Sequence, residues 1–382
     1  MEHLLTPRER EHRARMLELV LGRWEDTAHT WENGEMLPEE VVRWCAEQDL
    51  FGAALPASVG GAGWNAVETG LMYEALGRAG ASLASLVNVH GMMAQTVAKW
   101  GTAWHREHVL PALADGSRVA AICMTEPHAG SDLAGITTTL AEKDDKLLVN
   151  GTKVYITFGR RADDYLVFAQ RDGRPEACLV RRDNPGVAVE PMGDMLGLRA
   201  AGLARITFTD CEIAPEALVG KPGFALSVLI PTALEHGRHA VAWMALGMLE
   251  ACFAECARFV RTRRAFDRTL VEHGQVQTLI TRMGADLEAA RHLCVSAARA
   301  MESKDPAATE RILLAKYFVC RAAQEHTASS VQLLASSGVN ERSVTARAYR
   351  DSKVLTIIEG TEQILERSLA PALVNAVGRT AP

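Results

Sequence analysis

The sequence lacks several features that define other classes of protein. Positive charge is not in excess, since 41 Lys and Arg face 47 Asp and Glu for a net charge of −6. A nucleic-acid-binding protein needs a basic face to meet phosphates, so nucleic acid is not expected as a partner. Each apolar run is interrupted by Arg, Glu or His well before the length of a bilayer span, so we expect no membrane segment.

Other absences concern the compartment and the metal chemistry. The N-terminus is charged from its second residue and has no apolar signal-peptide core, which predicts a cytoplasmic protein. The eight cysteines form no CxxC pair. Cys252 and Cys256 lie one helical turn apart, which could suit a metal, but apart from Glu255, which faces elsewhere, no His or carboxylate is spaced to complete the site. We therefore predict buried, reduced thiols and no bound metal.

The chain changes its pattern at two places. Residues 1–120 have the spacing of amphipathic helices, residues 121–228 are β-prone, and residues 229–382 are helical again. The predicted fold is mainly α with a central β domain: an N-terminal helical bundle, a middle β-barrel-like domain and a C-terminal four-helix bundle. Because helices and strands do not alternate, the GGAGWN segment is interpreted as a plain loop and not as a dinucleotide-binding loop.

Two hairpins are predicted in the middle domain. In KLLVNGTKVYIT (146–157), an Asn-Gly pair stands between two β-prone runs, which is a strong hairpin signal. The segment YLVFAQRDGRPEACLVRR (165–182) is predicted to form a second hairpin with a short Gly loop. Alternation along the first hairpin puts Tyr155 and Thr157 on one face. A ring and a hydroxyl side by side suit stacking on a flat heterocycle and bonding to its edge.

The segment AICMTEPHAGSDLAG (121–135) is a candidate cofactor loop at the start of the β domain. Thr125 and Ser131 offer hydroxyls, while Ala129 and Gly130 leave backbone N–H groups accessible. Such a loop can wrap a polar, planar or phosphorylated cofactor. Ordinary turns use the same residue types, so this segment alone leaves both interpretations open.

The most informative carboxylate is Glu359, in SKVLTIIEGTEQIL (352–365). It stands between Ile357-Ile358 and Gly360. An apolar flank would raise its pKa, and a glycine would let a ligand approach the backbone. The alternative is a helix N-terminus with Glu359 near the dipole and Thr361 as the cap.

Five segments taken together resemble the acyl-CoA dehydrogenase family along nearly the whole chain: MTEPHAGSD, NGTKVYIT, RTRRAFDRTLVEH, YRDSK and IIEGTEQI. The resemblance implies FAD as cofactor and oxidation of an acyl thioester to the 2-enoyl thioester. Glu359 would remove the α-proton, and the β-hydrogen would leave as hydride to flavin N5. The implied partners are an acyl-CoA or acyl-carrier-protein thioester, an electron-transferring flavoprotein or other acceptor, and further copies of the chain in a homodimer or homotetramer.

The resemblance also assigns binding residues. Thr125 would bond the pyrimidine edge of the flavin, Thr157 would lie near N5, and Gln332 would act from a neighbouring subunit. The implied cofactor contacts are Cys123, Met124, Thr125, Ser131, Tyr155, Ile156, Thr157, Arg263, Phe266, Gln332, Ser336, Thr361 and Gln363. The implied substrate contacts are Ser131, Arg238, Ile358 and Gly360. Some members carry the base on a bundle helix just before an Arg; here that position is Gly237, which cannot serve.

Several positions depart from the common family pattern. Tyr155 replaces the usual Trp, and Ile358 stands where many fatty-acyl members carry Tyr. These changes, with LRAAG and AYRDSKVLTIIEG, are similar to dehydrogenases of polyketide extender-unit pathways, which act on short polar acyl groups carried on an acyl carrier protein. Two alternatives stay open: a flavin-dependent oxidase or monooxygenase that uses O₂, and a non-catalytic relative. The presence of Glu359 argues against both.

Overall fold

The computed structural model describes residues 2–143 and 146–380. A helical part, a β part and a second helical part follow one another, which confirms the predicted mainly α architecture with a central sheet. The first part contains α1 (Pro7–Trp24), α2 (Ala28–Trp31), α3 (Glu39–Glu47), α4 (Ala66–Ala79), α5 (Ala81–Trp100), α6 (Ala103–His108) and α7 (Leu110–Ala114). The first helix begins at Pro7 and is capped by Thr6, because Thr6 and Glu9 each accept a hydrogen bond from the other's backbone N–H.

The middle part is a mixed sheet of eight strands. They are β1 (Ala120–Cys123), β2 (Thr139–Lys143), β3 (Lys146–Ile156), β4 (Asp164–Arg171), β5 (Arg174–Arg181), β6 (Val187–Pro191), β7 (Ala204–Ile213) and β8 (Leu218–Val219). Their order is β6-β7-β3-β2-β4-β5-β8, and β1 pairs parallel to β4. The domain boundaries at 120/121 and 228/229 stay a prediction.

The predicted hairpin at Asn150-Gly151 is wrong. Both residues lie inside the single strand β3, which pairs with β7 on either side of a register shift. The Asn150 side chain bonds Asp210 twice, through Nδ2 to Oδ1 (3.1 Å) and through Oδ1 to the Asp210 N–H (2.7 Å). Gly151 has a φ of 151°, and a Cβ there would lie 2.5 Å from Thr138 Oγ1. The Asn-Gly pair therefore forms a β-bulge against a neighbouring strand.

The second predicted hairpin is confirmed. Strands β4 and β5 pair antiparallel from Asp164 opposite Arg181 to Arg171 opposite Arg174. Asp172 and Gly173, the two residues between them, have φ values of 50° and 73°. Two positive φ values at the centre of a two-residue loop match the right-handed twist of the strands that it joins.

The C-terminal part is built on long helices. They are α8 (Ile230–Thr262), α9 (Gly274–Glu302), α10 (Ala308–Leu334), α11 (Val344–Leu355) and α12 (Glu362–Thr380). A two-stranded ribbon of β9 (Arg264–Ala265) and β10 (Arg268–Thr269) joins α8 to α9. All eight cysteines are buried and none forms a disulfide, as predicted. Burial raises the pKa of the Cys320 thiol to about 11, so that thiol stays protonated at neutral pH.

One helix of the described residues, Ala225–Thr262, is long and apolar enough to cross a membrane by length and composition. Its uncharged run ends at Glu250, in keeping with the expectation of interrupted apolar runs, so only its average composition resembles that of a membrane span. Within its most apolar window, 78% is buried inside the protein. Core helices that pack on all sides have the same composition, so this helix is weak evidence for a membrane span.

Candidate active site

Glu359 lies in the turn between α11 and α12. Its φ is 55° and that of Gly360 is 100°, so two consecutive residues adopt left-handed backbone conformations. Only glycine adopts such a φ without strain, which explains Gly360 beside the carboxylate. The alternative interpretation predicts a helix N-terminus at Thr361. A helix does begin there, because Ile364 and Leu365 donate backbone hydrogen bonds to the Thr361 carbonyl.

The carboxyl group of Glu359 fits against a glycine of α8. A Cβ at Gly237 would lie 2.7 Å from both Cδ and Oε2 of Glu359, so no larger residue fits there without displacing the carboxyl. Burial raises the pKa of Glu359 to about 7, although the charges of Arg238 and Lys316 act to lower it. The residue keeps some accessible surface because it faces a cavity.

Two cationic side chains hold the turn in place. Arg238 donates from Nε to the Glu359 carbonyl oxygen at 3.0 Å, and Lys316 donates from Nζ to the Gly360 carbonyl oxygen at 2.7 Å. Lys316 has no exposed surface. No sequence pattern indicates the role of Lys316, because it lies on α10, 44 residues from the carbonyl that it binds.

A cavity of about 380 Å³ brings most of the predicted site residues together. The predicted residues that line it are Met124, Thr125, Ser131, Tyr155, Ile156, Thr157, Arg238, Ile358, Glu359, Gly360 and Thr361. Tyr155 and Thr157 both reach it, but not through simple strand alternation. β3 ends at Ile156, and Tyr155 itself has a left-handed φ of 56°.

Six predicted cofactor contacts lie outside this cavity. Cys123 is buried in β1. The others are exposed elsewhere on the described surface: Arg263, Phe266, Gln332, Ser336 and Gln363. Phe266 is 90% exposed at the β9–β10 ribbon. The cofactor contacts assigned to these six residues stay predictions. For Gln332, the predicted contact is with the cofactor of a neighbouring subunit.

The candidate cofactor loop is anchored by a buried ion pair that was not predicted from the sequence. Glu126 accepts hydrogen bonds from Lys153 Nζ (2.9 Å) and from the backbone N–H groups of Thr137 (2.7 Å) and Thr138 (3.0 Å). Lys153 also donates to the Met124 carbonyl at 3.2 Å. The pair ties the loop to β3, and it thereby holds Thr125 beside the strand end that carries Tyr155 and Thr157.

The cavity wall formed by α5 was also not predicted from the sequence. Ser85, Asn88, Val89 and Met92 line the cavity from this helix. They follow the i, i+3, i+4, i+7 spacing of a single helix face. The same spacing occurs on any buried helix, so the sequence could not distinguish a cavity wall from core packing.

The lining residues fit a flavin ring system. Thr125, Thr157 and Ser131 supply hydroxyls from the β part for a polar edge. Ile122 and Ile156 supply apolar surface for a flat face.

Family comparison gives the class of the protein. The acyl-CoA dehydrogenase N-terminal domain matches residues 6–117, the middle domain residues 121–211 and the C-terminal domain residues 227–374. The chain belongs to the acyl-CoA dehydrogenase family. It is therefore an oxidoreductase of a family that dehydrogenates acyl thioesters, and its cofactor is FAD.

Individual relatives show the breadth of that family. Mitochondrial isobutyryl-CoA dehydrogenase of Dictyostelium discoideum is 29% identical over 366 residues, which cover 94% of this chain and 88% of the relative. The structure of FkbI, for biosynthesis of the methoxymalonyl extender unit of the Fk520 polyketide, is similar with a TM-score of 0.88 and 32% identity, over 94% of this chain and 99% of that one. Glutaryl-CoA dehydrogenase from Mycobacterium smegmatis in complex with FADH2 has a TM-score of 0.93 and 26% identity, over 98% and 96% of the two chains.

Proposed function

We propose that this chain oxidises the Cα–Cβ bond of an acyl thioester, with Glu359 as the base that removes the α-proton. The observation that carries the proposal is the Glu359 carboxyl at the cavity wall, with its pKa raised to about 7. A carboxylate with that pKa is basic enough to accept a proton near neutral pH. FAD, when bound, accepts the β-hydrogen as hydride, and the product is the 2-enoyl thioester.

The surrounding residues favour removal of a very weakly acidic proton. Ile357 and Ile358 line the cavity beside the base and limit its contact with water. The backbone N–H of Glu359 is a candidate donor to the thioester oxygen, where negative charge develops as the α-proton leaves. Arg238 and Lys316 fix the turn that presents both groups.

The reaction is tested by mixing the flavin-loaded protein with acyl thioesters under anaerobic conditions. Loss of the yellow flavin colour with formation of the 2-enoyl product supports the proposal. Oxygen consumption with an oxygenated product would favour the flavin oxidase or monooxygenase alternative instead. Absence of both reactions across CoA and carrier-protein thioesters would favour a non-catalytic relative.

A narrower proposal concerns the substrate carrier. We infer that the acyl group is short and polar and is carried on an acyl carrier protein. The similarity to FkbI, at 32% identity, supports this inference. Parallel assays with one acyl group on CoA and on a carrier protein test it, and a higher kcat/KM on CoA would contradict it.

The remaining partner assignments are also proposals. We infer that an electron-transferring flavoprotein reoxidises the flavin, as the family resemblance implies, and that the protein acts in the cytoplasm. We further infer a homodimer or homotetramer. Exposed apolar side chains support it, since Phe266 is 90% and Val339 65% exposed. Sedimentation of the flavin-loaded protein tests the oligomeric state, and a monomer would contradict it.

The rate of the reaction is expected to depend on the ionisation of Glu359. With a pKa of about 7, the carboxylate form is lost as the pH falls below 7. The rate of flavin bleaching should then fall about tenfold per pH unit on the acid side and level off above pH 7. Rapid-mixing assays across pH 5–9 measure the profile. A midpoint near the ordinary glutamate pKa of 4.5 would contradict the buried base.

Replacing Lys316 by Met is expected to move this profile to higher pH. The Lys316 charge acts to lower the pKa of Glu359, so its loss lets burial raise that pKa further. The variant also leaves the Gly360 carbonyl without its donor, which should cost about 1–3 kcal/mol of stability. Lys353→Met, at an exposed position on α11, is the matched control and should leave the midpoint unchanged. An unshifted Lys316→Met profile would show that Lys316 has no influence on the base.

A further inference from the structure

Two polar side chains of the α5 cavity wall have oxygens without a partner. Ser85 is 3% exposed and Asn88 is 1% exposed, and both line the cavity that contains Glu359. Neither Ser85 Oγ nor Asn88 Oδ1 has a hydrogen-bond partner among the described residues. Thr96, on the same helix but outside the cavity wall, does have one, since its hydroxyl donates to the Met92 carbonyl at 2.7 Å.

An unpaired buried oxygen destabilises a protein, and native structures contain few of them. Ser85 and Asn88 lie at i and i+3 on one helix face, and both line the same cavity. They lie on the face of α5 that lines the cavity containing Glu359. Because both residues line the cavity, a hydrogen-bonding group of the ligand is a candidate partner for these oxygens.

The position along α5 indicates which part of the ligand they meet. Met92 marks the level of the base, because its Sδ and the Glu359 carboxyl both lie within 3.0 Å of the Cβ position at Gly237. With a rise of 1.5 Å per residue, Asn88 lies about 6 Å and Ser85 about 10 Å further along the helix. For an acyl chain that runs along α5 towards its N-terminus, these distances place the two residues beyond the reacting carbons. The hydroxyls assigned to the cofactor belong to the β part and not to α5.

The residues that line the cavity favour an uncharged substituent on the ligand near Asn88. Among the described residues that line the cavity, Arg238 and Glu359 are the charged ones. Arg238 already donates from Nε to the Glu359 carbonyl. An ionised substituent near Asn88 would have no cation of its own, and burying a charge without a partner is costly. A hydroxyl can donate its hydrogen to Asn88 Oδ1 and at the same time accept a hydrogen bond from the Ser85 hydroxyl.

We propose that Ser85 and Asn88 recognise a hydroxyl on the acyl chain and so select hydroxylated acyl thioesters over alkyl ones. This specificity rests on the proposed function, because it assumes that the cavity holds an acyl thioester. A site that binds a hydroxyl discriminates against the analogue that lacks it, since the buried polar groups of the protein are then unpaired.

The test measures binding without turnover. The flavin-loaded Glu359→Gln variant is titrated with the CoA and carrier-protein thioesters of 4-hydroxybutyrate and 5-hydroxypentanoate, whose hydroxyls lie beyond Cβ. Each is compared with the thioester in which a methyl group replaces the hydroxyl. At least one hydroxylated thioester should bind about tenfold more tightly than its methyl counterpart. Adding Asn88→Leu or Ser85→Ala should bring the ratio close to one, while Thr96→Val should leave it unchanged.

The possible outcomes distinguish failure of the hydroxyl specificity from failure of the oxidation reaction. If the wild-type chain oxidises no thioester but the binding preference persists, the proposed reaction fails and the hydroxyl subsite stands. If thioesters are oxidised but no hydroxylated member binds better than its methyl counterpart, the subsite is refuted and the reaction stands. An unchanged ratio in both α5 variants, or no binding of any thioester, also overturns the proposal.

Discussion

Glu359→Gln is expected to abolish dehydrogenation while the protein keeps its flavin. Gln has nearly the same shape and can occupy the space at Gly237, but it cannot accept the α-proton. Removing a general base lowers rates by about 10²–10⁴. Rapid mixing with an acyl thioester measures the bleaching rate, and visible absorbance of the purified variant measures the flavin content.

Glu235→Gln is the matched control, because Glu235 lies on α8 two residues from Gly237 but does not line the cavity. It should bleach at the wild-type rate. Bleaching by Glu359→Gln within a few fold of wild type would remove the base assignment. Loss of flavin from Glu359→Gln would show instead that the carboxyl supports the cofactor site.

Glu126→Ala is expected to destabilise the protein by about 3–5 kcal/mol, because breaking a buried ion pair leaves its partner uncompensated. Lys153 has no exposed surface, and without Glu126 its ammonium group keeps only the Met124 carbonyl as a partner among the described residues. Chemical denaturation followed by circular dichroism measures the loss. Flavin content should fall with it, since the pair anchors the loop that carries Thr125.

The double variant Glu126→Gln with Lys153→Met is the control for this interpretation. It removes both charges at once and should recover part of the stability that Glu126→Ala loses. A double variant as unstable as Glu126→Ala would show that the backbone hydrogen bonds of Glu126 matter more than the pairing of charges.

The same pair gives a stability signature in acid. Burial raises the pKa of Glu126, but hydrogen bonds from Thr138 and Lys153 outweigh it and bring the pKa down to about 2. The ordinary value is 4.5, so the folded state holds the carboxylate more firmly than the unfolded state does. This stabilisation is complete above about pH 4.5 and is lost as the pH falls towards 2. The acid sensitivity between those values should be absent in the double variant.

The parts of this protein that the sequence predicts are those in which neighbouring residues decide the outcome. Thr6-Pro7 begins α1, and Asp172-Gly173 turns β4 into β5, because each effect is local. The Asn150-Gly151 pair carries an equally strong turn signal, yet it forms a bulge. Its side-chain partner Asp210 is 60 residues away, and the pattern around the pair does not contain that information.

The candidate site divides in the same way. The local motifs predict Glu359, Thr125 and the residues near them, because each motif is a continuous stretch. Lys316 and Asn88 were missed because they enter the site from helices whose spacing alone resembles core packing. Their roles depend on which helix faces the cavity, and that is decided by tertiary contacts.

Gly237 limits which residue of such an enzyme can carry the catalytic carboxyl. The carboxyl of residue 359 and any side chain at residue 237 would occupy the same space. The catalytic carboxyl can therefore come from the turn or from the helix, but not from both. A chain that moves its proton acceptor from one segment to the other must change both positions together. Any intermediate with two acids would crowd like charges, and one with neither would have no acceptor. The two positions are therefore a coupled pair, although 122 residues separate them in the sequence.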